Sequence, residues 1–445
     1  MIIWEVDIIA IKVVDAPCGA GKTTWAINEI NRRKETSYVY CTPFLDEISR
    51  IRDKCGRSRF AEPQPYTGSK LDNFNELLIN GTSTAVSHVT FLNATHDTLQ
   101  AIHEGSYTLI LDEVLDVVMD FNSVQTVENS PRQSIAKADI EMLVDKQMIS
   151  IDTQTCKVTW CGGDYGEQFK FAELKKFASM GRLYWARDSL LIAVFPPEMF
   201  TMFDDVYVLT YMFQGSILKY YFDLFQIEYE TASIDTETQR LTDYSNLEDR
   251  QFREKCKKLI KICDVENLNK PNRTLSKSWF DSATPDKLSE LKKDVSSFFR
   301  SYVKKAKASQ DEIMWTCPVN HKSKIQGNRY TYSRMITKRE RQSLSQLELK
   351  ELEKSVSCFV PCNAKATNIY RNRWALAYCC NMFLKPPFKG FFQDNGIDVD
   401  ESSYSLSCLL QWICRSRLRD GKSIVLYLPS KRMRKLLQDW FDGGC

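Results

Sequence analysis

The sequence lacks any uninterrupted apolar run of about 18 residues, the length that a membrane-spanning helix needs. Its opening stretch, Met1 to Asp15, is apolar but contains Glu5, Asp7 and Lys12 and has no small-residue cleavage site. These features predict a strand at this position and argue against a signal peptide. We therefore expect a cytoplasmic protein without a membrane partner.

The chain also lacks a strong net charge. Its 60 lysines and arginines nearly balance 57 aspartates and glutamates, which leaves a net charge of +3. Any affinity for nucleic acid must therefore come from local basic surfaces. Internal repeats and long low-complexity tracts are absent as well, and 43% hydrophobic with 26% charged residues is normal for a folded protein. A length of 445 residues predicts two or three domains.

Paired CxxC motifs are a third absence. The 15 cysteines are scattered through apolar segments, which favours reduced thiols in a cytoplasm over a disulfide framework. The nearest approach to a metal-binding pattern is Cys358 with Cys362, preceded by Cys317 and His321. Because no CxxC pair supports this pattern, we do not expect structural zinc.

A glycine-rich loop lies between a predicted strand and a predicted helix near the start of the chain. Ile9 to Asp15 is a β-branched apolar run that predicts a buried strand, and the segment from Thr24 onward has helical composition. The loop matches the P-loop (Walker A) pattern GxxxxGK(S/T) except for Ala16 in place of the first glycine. The residues predicted to bind the nucleotide are Pro17, Cys18, Gly19, Ala20, Gly21, Lys22, Thr23 and Thr24.

The backbone of this loop predicts its chemistry. Amide groups around Gly19 to Thr23, aided by the helix N-terminus, are expected to surround the β-phosphate of ATP. Lys22 then reaches the β- and γ-phosphates, and the Thr23 hydroxyl holds Mg²⁺. The alternative is a tight turn that binds nothing, and it leaves the glycine-lysine-threonine-threonine helix start unexplained.

Two adjacent carboxylates follow a later apolar strand, Tyr107 to Leu111. In a parallel sheet the carboxyl end of a strand lies on the same side as the phosphate loop. Asp112 is therefore predicted to bind Mg²⁺ through water, and Glu113 to polarise the attacking water. A nucleoside- or shikimate-type kinase does not need the second carboxylate, so Glu113 favours hydrolysis over phosphoryl transfer to a metabolite.

Further segments resemble the core of superfamily 2 helicases. Ser37 to Glu47 resembles motif Ia, a strand followed by Thr42 and Pro43 that in the family contacts the nucleic-acid backbone. Thr82 to His88 resembles the next strand and its loop, so the resemblance implies nucleic-acid contacts at Ser87 and His88. Val206 to Tyr211 resembles motif III, which implies that Thr210 couples the state of ATP to the bound strand.

The segment from Leu409 to Arg419 resembles motif VI, in which an arginine finger lies four residues after a glutamine. Gln411 and Arg415 match that spacing. The family's second arginine falls where this chain has Leu418, so either Arg417 or Arg419 replaces it. An arginine from a second lobe neutralises charge on the transferring phosphoryl group, which implies that the two lobes must close before ATP is hydrolysed.

The C-terminal half, including Val360 to Asn368 and Pro429 to Arg434, resembles the DEAD/DEAH-type helicases encoded by tailed phages and prophages of bacteria. This resemblance implies ATP and Mg²⁺ as cofactors and DNA with a single-stranded region as partner, together with replication proteins, in a bacterial host cytoplasm. It also implies an α/β fold with two RecA-like P-loop domains. The sequence differs from true DEAD-box proteins because Val114 and Leu115 follow Asp112-Glu113.

We predict a first domain at residues 1–215 and a second at 216–445. The chain between the carboxylate strand and the motif III strand is long, which predicts an insertion at about 122–202. This insertion is either a small accessory subdomain or a packing elaboration. The basic and aromatic region from Lys292 to Lys354 suits either nucleic-acid binding or an exposed helical face.

The leading hypothesis is an ATP-dependent DNA helicase or translocase in phage DNA replication or recombination. The first alternative is an ATP-gated clamp or assembly ATPase that binds nucleic acid without unwinding it. The second is a P-loop kinase of small molecules, which leaves Glu113 and Arg415 unexplained.

Overall fold

The computed structural model describes residues 11–56, 59–65, 68–123, 134–164, 170–235, 237–263, 273–305, 310–328, 330–362 and 368–444. These residues form two compact units. The first contains residues 11–16, 20–244 and 384–400, and the second contains residues 17–19, 245–383 and 401–444.

The structure alternates strands and helices along most of the chain. The strands are β1 (Ile11–Asp15), β2 (Ser37–Thr42), β3 (Phe60–Ala61), β4 (Ser83–Ser87), β5 (Tyr107–Asp112), β6 (Val118–Asp120), β7 (Ile149–Ile151), β8 (Val158–Trp160), β9 (Leu183–Ala186), β10 (Leu190–Val194), β11 (Asp205–Thr210), β12 (Tyr229–Asp235), β13 (Arg240–Asp243), β14 (Ile260–Ile262), β15 (Ile313–Thr316), β16 (Ala375–Tyr378) and β17 (Ile424–Tyr427).

The helices pack beside these strands. They are α1 (Lys22–Arg32), α2 (Leu45–Cys55), α3 (Lys70–Ile79), α4 (His88–Leu92), α5 (His96–Glu104), α6 (Lys137–Asp145), α7 (Ala172–Ser179), α8 (Glu198–Thr201), α9 (Ile217–Leu224), α10 (Leu247–Leu259), α11 (Lys277–Ser282), α12 (Pro285–Lys305), α13 (Lys322–Ile325), α14 (Lys338–Ser343), α15 (Gln346–Val356), α16 (Pro386–Asp394), α17 (Glu401–Ile413) and α18 (Lys431–Phe441).

The main sheet of the first unit has eight strands in the order β13-β12-β1-β11-β5-β2-β4-β3. All neighbours in this sheet are parallel except the hairpin between β12 and β13. Its central strands are short apolar runs, and β5 is buried along its whole length. Strands covered on both faces are typical of a parallel sheet between helices. The strands predicted at the phosphate loop, the carboxylate pair and motifs Ia and III are therefore confirmed.

The first unit extends further than the sequence predicted. We expected it to end near residue 215, but β12 pairs with β1 in parallel and β13 pairs with β12. The unit therefore continues to Tyr244 and also includes residues 384–400. The prediction was too short because partners that are distant in sequence add strands to a sheet edge without a local signal.

The predicted insertion forms a small subdomain. Strands β6, β10 and β9 make an antiparallel sheet, and β7 and β8 make a separate hairpin. Helices α6 and α7 cover them and share a core of their own, to which Leu143, Leu174 and Trp185 belong. The inserted segment therefore has a hydrophobic core of its own.

The second unit is built on a four-stranded parallel sheet in the order β14-β17-β16-β15. Within the described parts of the chain, no helix combines the length and the apolar character that crossing a membrane requires. The expected fold class, parallel sheets flanked by helices, is confirmed in both units.

The basic and aromatic region of the second unit is only partly a surface. Trp315 and Tyr330 are buried against each other, and the indole N–H of Trp315 donates to the Tyr330 carbonyl at 2.6 Å. Tyr332 is 44% exposed and lines a cavity of about 590 Å³ together with Lys292 and Arg334. Tyr332 is therefore the one of these three aromatic residues that is available for stacking. Lys307 and Arg329 lie outside the described residues, as do the side chains of Lys304 and Lys305.

Candidate functional site

Five loops of the first unit meet at one edge of its main sheet. Strands β1, β11, β5, β2 and β4 are adjacent and parallel, so their carboxyl ends share that edge. The loop after β1 is the predicted phosphate loop, and β5 ends at Asp112, so that the next loop begins with Glu113. The other three loops follow Thr210, Thr42 and Ser87, which are the residues that the helicase resemblance singled out.

The phosphate loop has the backbone that its sequence predicted. Gly19 and Gly21 have φ values of +88° and +87°, a region that residues with a Cβ rarely adopt. Gly21 caps α1, which begins at Lys22, so the helix N-terminus faces the loop. The Lys22 Nζ donates to the Ala16 carbonyl at 2.5 Å, and the Ala16 N–H donates to the Thr210 carbonyl at 3.0 Å. The loop is thereby joined directly to the end of β11.

Asp112 is a buried carboxyl group with a raised pKa. Burial, together with the nearby negative charges of Glu113 and Glu47, raises this pKa to about 7. A hydrogen bond from the Tyr40 hydroxyl and the charge of Lys22 act in the opposite direction. A buried carboxylate that is disfavoured as an anion is typical of a functional position, because a bound cation relieves the charge.

Tyr40 connects the two predicted metal ligands, and sequence reasoning missed it. Its hydroxyl donates to Asp112 Oδ2 at 3.0 Å, and it also lies within hydrogen-bonding reach of the Thr23 side chain. The pKa of Tyr40 is raised well above its ordinary value, chiefly because the ring is buried. The only sequence signal was its position on the strand before Thr42, which did not distinguish it from a core aromatic residue.

The residues near Asp112 fit a magnesium site. Mg²⁺ usually takes one or two carboxylates, a hydroxyl and phosphate oxygens, and it keeps several waters. Thr23 and Asp112 supply a hydroxyl and a carboxylate, and Glu47 and Glu113 add negative charge. When bound there, the ion neutralises charge on the triphosphate. Across the described ranges, no group of three or more histidine, cysteine, aspartate or glutamate side chains is placed to hold a metal.

Glu113 has an unusual backbone conformation. Its φ is +66°, a left-handed value that costs free energy for a residue with a side chain. The Glu113 N–H donates to the Leu209 carbonyl at 3.0 Å, which holds the turn at the end of β5 against β11. Strained backbone of this kind persists only where the surrounding structure holds it in place, and it is found most often at functional sites. The turn leaves the Glu113 side chain partly exposed at the carboxyl edge of the sheet.

Asp15 is a second residue that the sequence did not reveal. Its carboxylate accepts hydrogen bonds from the backbone N–H groups of Met212 and Phe213 at 2.8 and 3.0 Å. Met212 has a φ of +59°, so the carboxylate holds a strained turn directly after β11. The Thr210 hydroxyl before this turn is buried and has no hydrogen-bond partner among the residues that the structure describes. Two separate contacts thus tie the phosphate loop to the predicted coupling segment.

The residues predicted to contact nucleic acid divide into two groups. Pro43 and Ser87 are partly exposed at the carboxyl edge, and the Ser87 hydroxyl caps α4. Thr42 is fully buried, and His88 is 1% exposed. His88 Nε2 donates to the Asp112 carbonyl at 3.1 Å, since a carbonyl can only accept. His88 therefore links the start of α4 to the end of β5.

The motif VI residues lie at the end of α17 in the second unit. Gln411 Nε2 donates to the Ser407 hydroxyl at 3.3 Å, and Arg415 is 7% exposed. The Arg417 guanidinium donates to the Ser423 carbonyl at 2.6 Å and stacks over the Trp374 ring at 5.3 Å. These contacts give Arg417 a structural role.

The two units have the RecA-like α/β fold, with parallel sheets flanked by helices, and the chain is similar in fold to solved helicase structures. One solved structure, of an XPD helicase, has a TM-score of 0.50 at 11% identity, covering 96% of this chain and 94% of that chain. The structure of S. tokodaii Xpd4 has a TM-score of 0.46 at 11% identity, covering 97% of this chain and 94% of that chain. The fold and the phosphate loop thus define a two-lobed P-loop protein.

The chain belongs to the YonV family. It is 32% identical over 449 residues to the SPbeta prophage-derived uncharacterized protein YonV of Bacillus subtilis (strain 168), covering 97% of this chain and 99% of that relative. The model of the YonV C-terminal Rossmann-like domain matches residues 254–441, and that of the YonV middle domain matches residues 132–193. The match to the middle domain lies within the inserted subdomain.

Replacing Tyr40 by phenylalanine is expected to raise the Mg²⁺ concentration for half-maximal ATP hydrolysis by about 3- to 10-fold, with a smaller effect on the maximal rate. The lost hydrogen bond is worth about 1 kcal/mol, and it orients the Asp112 carboxylate. Magnesium titrations of nucleotide binding and of hydrolysis measure the change. Tyr38→Phe is the matched control, because Tyr38 is buried two residues earlier on the same strand. Equal Mg²⁺ requirements for Tyr40→Phe and the unmodified protein would contradict this role.

Proposed function

We propose that this protein is an ATP-driven DNA helicase or translocase of the DEAD/DEAH-type branch of superfamily 2. The observation that carries the proposal is the meeting of five loops at the carboxyl edge of the first sheet. One loop binds phosphate, one carries Asp112 and Glu113, and the others match the nucleic-acid and coupling segments of helicases. This combination supports hydrolysis coupled to a bound strand more than it supports phosphoryl transfer to a metabolite.

The chemical step that we assign is attack of water on the γ-phosphorus of ATP. Glu113 orients this water and accepts its proton as the new oxygen–phosphorus bond forms and the bond to ADP breaks. Lys22 and the N-terminus of α1 neutralise the phosphate oxygens. Thr23 and Asp112 hold Mg²⁺, with Tyr40 orienting the carboxylate.

Coupling to movement is assigned to the end of β11. Ala16 donates to Thr210, and Asp15 accepts from Met212 and Phe213, so a shift of the phosphate loop acts directly on this segment. We infer that the turn after β11 has two conformations. A bound nucleotide can shift the balance between two such conformations when only a few hydrogen bonds hold the turn. Thr42, Pro43 and Ser87 lie on neighbouring loops of the same edge, and we assign Pro43 and Ser87 to the nucleic-acid backbone.

Three residues of the second unit complete the proposal. Gln411, Arg415 and Arg419 are assigned to the triphosphate, with the two arginines neutralising charge on the transferring phosphoryl group. Their support is the motif VI spacing and the structural contacts of Arg417, which leave Arg419 as the second arginine. The prophage origin of the relative supports a role in phage DNA replication or recombination with replication proteins, in a bacterial host cytoplasm.

The deciding experiment measures ATP hydrolysis with and without single-stranded DNA, and strand displacement on DNA and RNA duplexes with 3′ or 5′ tails. We expect single-stranded DNA to stimulate hydrolysis and one tail polarity to be unwound. Lys22→Ala should lower hydrolysis by about 100-fold or more and abolish displacement, because the γ-phosphate loses its main cationic contact. Lys34→Ala, just beyond the end of α1, is the matched control.

Two outcomes would separate the proposal from its alternative. Hydrolysis that is indifferent to every nucleic acid tested would refute a nucleic-acid motor. DNA-stimulated hydrolysis without displacement or translocation on any substrate would favour the ATP-gated clamp, which uses the same ATP site.

A further inference from the structure

Two cysteines lie together at the carboxyl edge of the second sheet because of strand register. Trp315 on β15 pairs in parallel with Ala377 on β16, and on its other side with Phe359. Cys380 and Cys362 each follow one of these partners by three residues. Because both segments run parallel to β15 and in the same register, residues the same number of positions further along lie at the same height. Both cysteines therefore lie beyond the same edge of the sheet.

The two thiols are in direct contact. Cys362 Sγ lies 3.0 Å from Cys380 Sγ, and the Thr316 hydroxyl lies 3.4 Å from Cys362 Sγ. Cys380 is 2% exposed, whereas Cys362 is only partly buried. A disulfide bond is about 2.05 Å long, so closing it requires an approach of only about 1 Å by the two sulfurs.

The surroundings give the two thiols different chemical roles. Hydrogen bonds from Cys380 and Thr316, together with the positive charge of Arg415, lower the pKa of Cys362. Burial and the neighbouring Cys362 raise the pKa of Cys380 well above its ordinary value. Cys362 is therefore the thiolate that attacks, and Cys380 is the thiol that donates a hydrogen bond to it and then resolves the product.

We propose that Cys362 and Cys380 form a dithiol that peroxides oxidise reversibly to a disulfide. The Cys362 thiolate attacks a peroxide oxygen, the O–O bond breaks, and the leaving hydroxide takes the Cys380 proton to become water. The Cys380 thiolate then attacks the sulfur of the Cys362 sulfenic acid. The S–S bond forms, and hydroxide leaves and is protonated to a second water. One hydrogen peroxide is reduced to two waters as two thiols are oxidised, and an external dithiol reverses the change.

A metal site is the competing interpretation of clustered cysteines, and the geometry does not favour it. Within the residues that the structure covers, no three metal-ligating side chains converge. His321 is turned toward Asp281, to which its Nε2 lies at 2.9 Å. Cys408, also close to Cys362, has a pKa raised by burial to about 12, so it remains a neutral thiol. A reactive pair fits the reducing cytoplasm better than a permanent disulfide does.

Oxidation also affects the motif VI segment, a consequence that rests on the proposed function. Arg415 lies close enough to the Cys362 thiolate to stabilise it, and the disulfide removes that negative charge. The bond also ties the segment after Phe359 to the end of β16. We expect both changes to alter the position of Arg415 and to lower ATP hydrolysis several-fold.

The test treats the full-length protein with graded hydrogen peroxide, alkylates the remaining thiols and maps disulfides by mass spectrometry without reduction. The expected result is a Cys362–Cys380 linked peptide that dithiothreitol removes and that Cys362→Ser and Cys380→Ser lack. Cys161→Ser is the matched control, because Cys161 is an exposed thiol in the first unit. Its loss should leave the linked peptide unchanged.

The proposal is overturned if both thiols stay fully alkylatable at peroxide concentrations that oxidise Cys161. Mapping the disulfides of the unmodified protein by mass spectrometry tests the redox proposal even if a serine variant fails to fold. Hydrolysis is measured in parallel: the oxidised protein should lose activity that dithiothreitol restores, and Cys362→Ser should keep its activity under peroxide. A reduced protein without any ATP hydrolysis would refute the proposed function while the disulfide map still decides the redox proposal.

Discussion

Replacing Glu113 by glutamine is expected to lower the rate of ATP hydrolysis by about 100-fold or more while ATP still binds. General-base catalysis contributes about 10²- to 10⁴-fold, and glutamine cannot accept the proton of the attacking water. The amide has nearly the same size and keeps the turn, in which the Glu113 N–H donates to the Leu209 carbonyl. Steady-state hydrolysis and binding of a fluorescent ATP analogue measure the two effects separately.

The control for this experiment is Glu104→Gln. Glu104 is an exposed residue at the end of α5, and its carboxylate accepts a hydrogen bond from Gln100 at 2.8 Å. The same chemical change there should leave hydrolysis unaltered. If Glu113→Gln hydrolyses ATP at the unmodified rate, another group activates the water and the assignment of Glu113 is wrong.

Replacing Asp112 by asparagine is expected to stabilise the protein at pH 8 while reducing hydrolysis by about 100-fold or more. The loss of activity follows from removing a carboxylate ligand of Mg²⁺. The gain in stability follows from the pKa of Asp112, which is raised from its ordinary value to about 7. Asparagine carries no charge at any pH, and its carbonyl oxygen can still accept the hydrogen bond of Tyr40.

The stability difference between Asp112→Asn and the unmodified protein depends on pH. A carboxyl group whose pKa is higher in the folded state holds its proton more tightly there than in the unfolded chain. The free energy of unfolding therefore falls as the pH rises from about 4 to about 7, and the loss persists above pH 7. Each pH unit in this window is worth about 1.4 kcal/mol, so the ionised group costs up to about 4 kcal/mol at pH 8. Below pH 4 the cost disappears.

Urea unfolding at pH 8 and pH 5, without Mg²⁺ or nucleotide, measures this prediction. The midpoint for Asp112→Asn should exceed that of the unmodified protein at pH 8, and the difference should shrink at pH 5. Glu104→Gln should show no such difference at either pH. A variant that is destabilised equally at both values would show that the Asp112 carboxylate is not held at a cost in the folded protein.

The local features of the site were predictable because each depends on a short stretch of chain. The glycines at 19 and 21 and the helix start at Lys22 define a phosphate loop by their own backbone preferences. Asp112 and Glu113 follow an apolar strand, and a parallel sheet brings such strand ends to one edge. The strands that end at Thr42, Ser87 and Thr210 were placed by the resemblance to helicase motifs, and the structure has strands at these positions.

The residues that the sequence did not reveal act across strands. Tyr40 matters because β2 lies beside β5, and Asp15 matters because β1 lies beside β11. His88 follows β4, and its Nε2 contacts the Asp112 carbonyl at the end of β5, on the far side of β2. The first boundary was placed too early for a similar reason, since β12 joins the sheet by pairing with the distant β1.

The sequence by itself therefore determined the phosphate loop, the carboxylate pair and the alternation of strands and helices, because these depend on conformational preferences of neighbouring residues. Only the tertiary structure decided the strand order, and with it the contacts of Tyr40, Asp15 and His88 and the meeting of Cys362 with Cys380. These contacts join residues far apart in the chain, and their partners are selected by the packing of whole strands and helices.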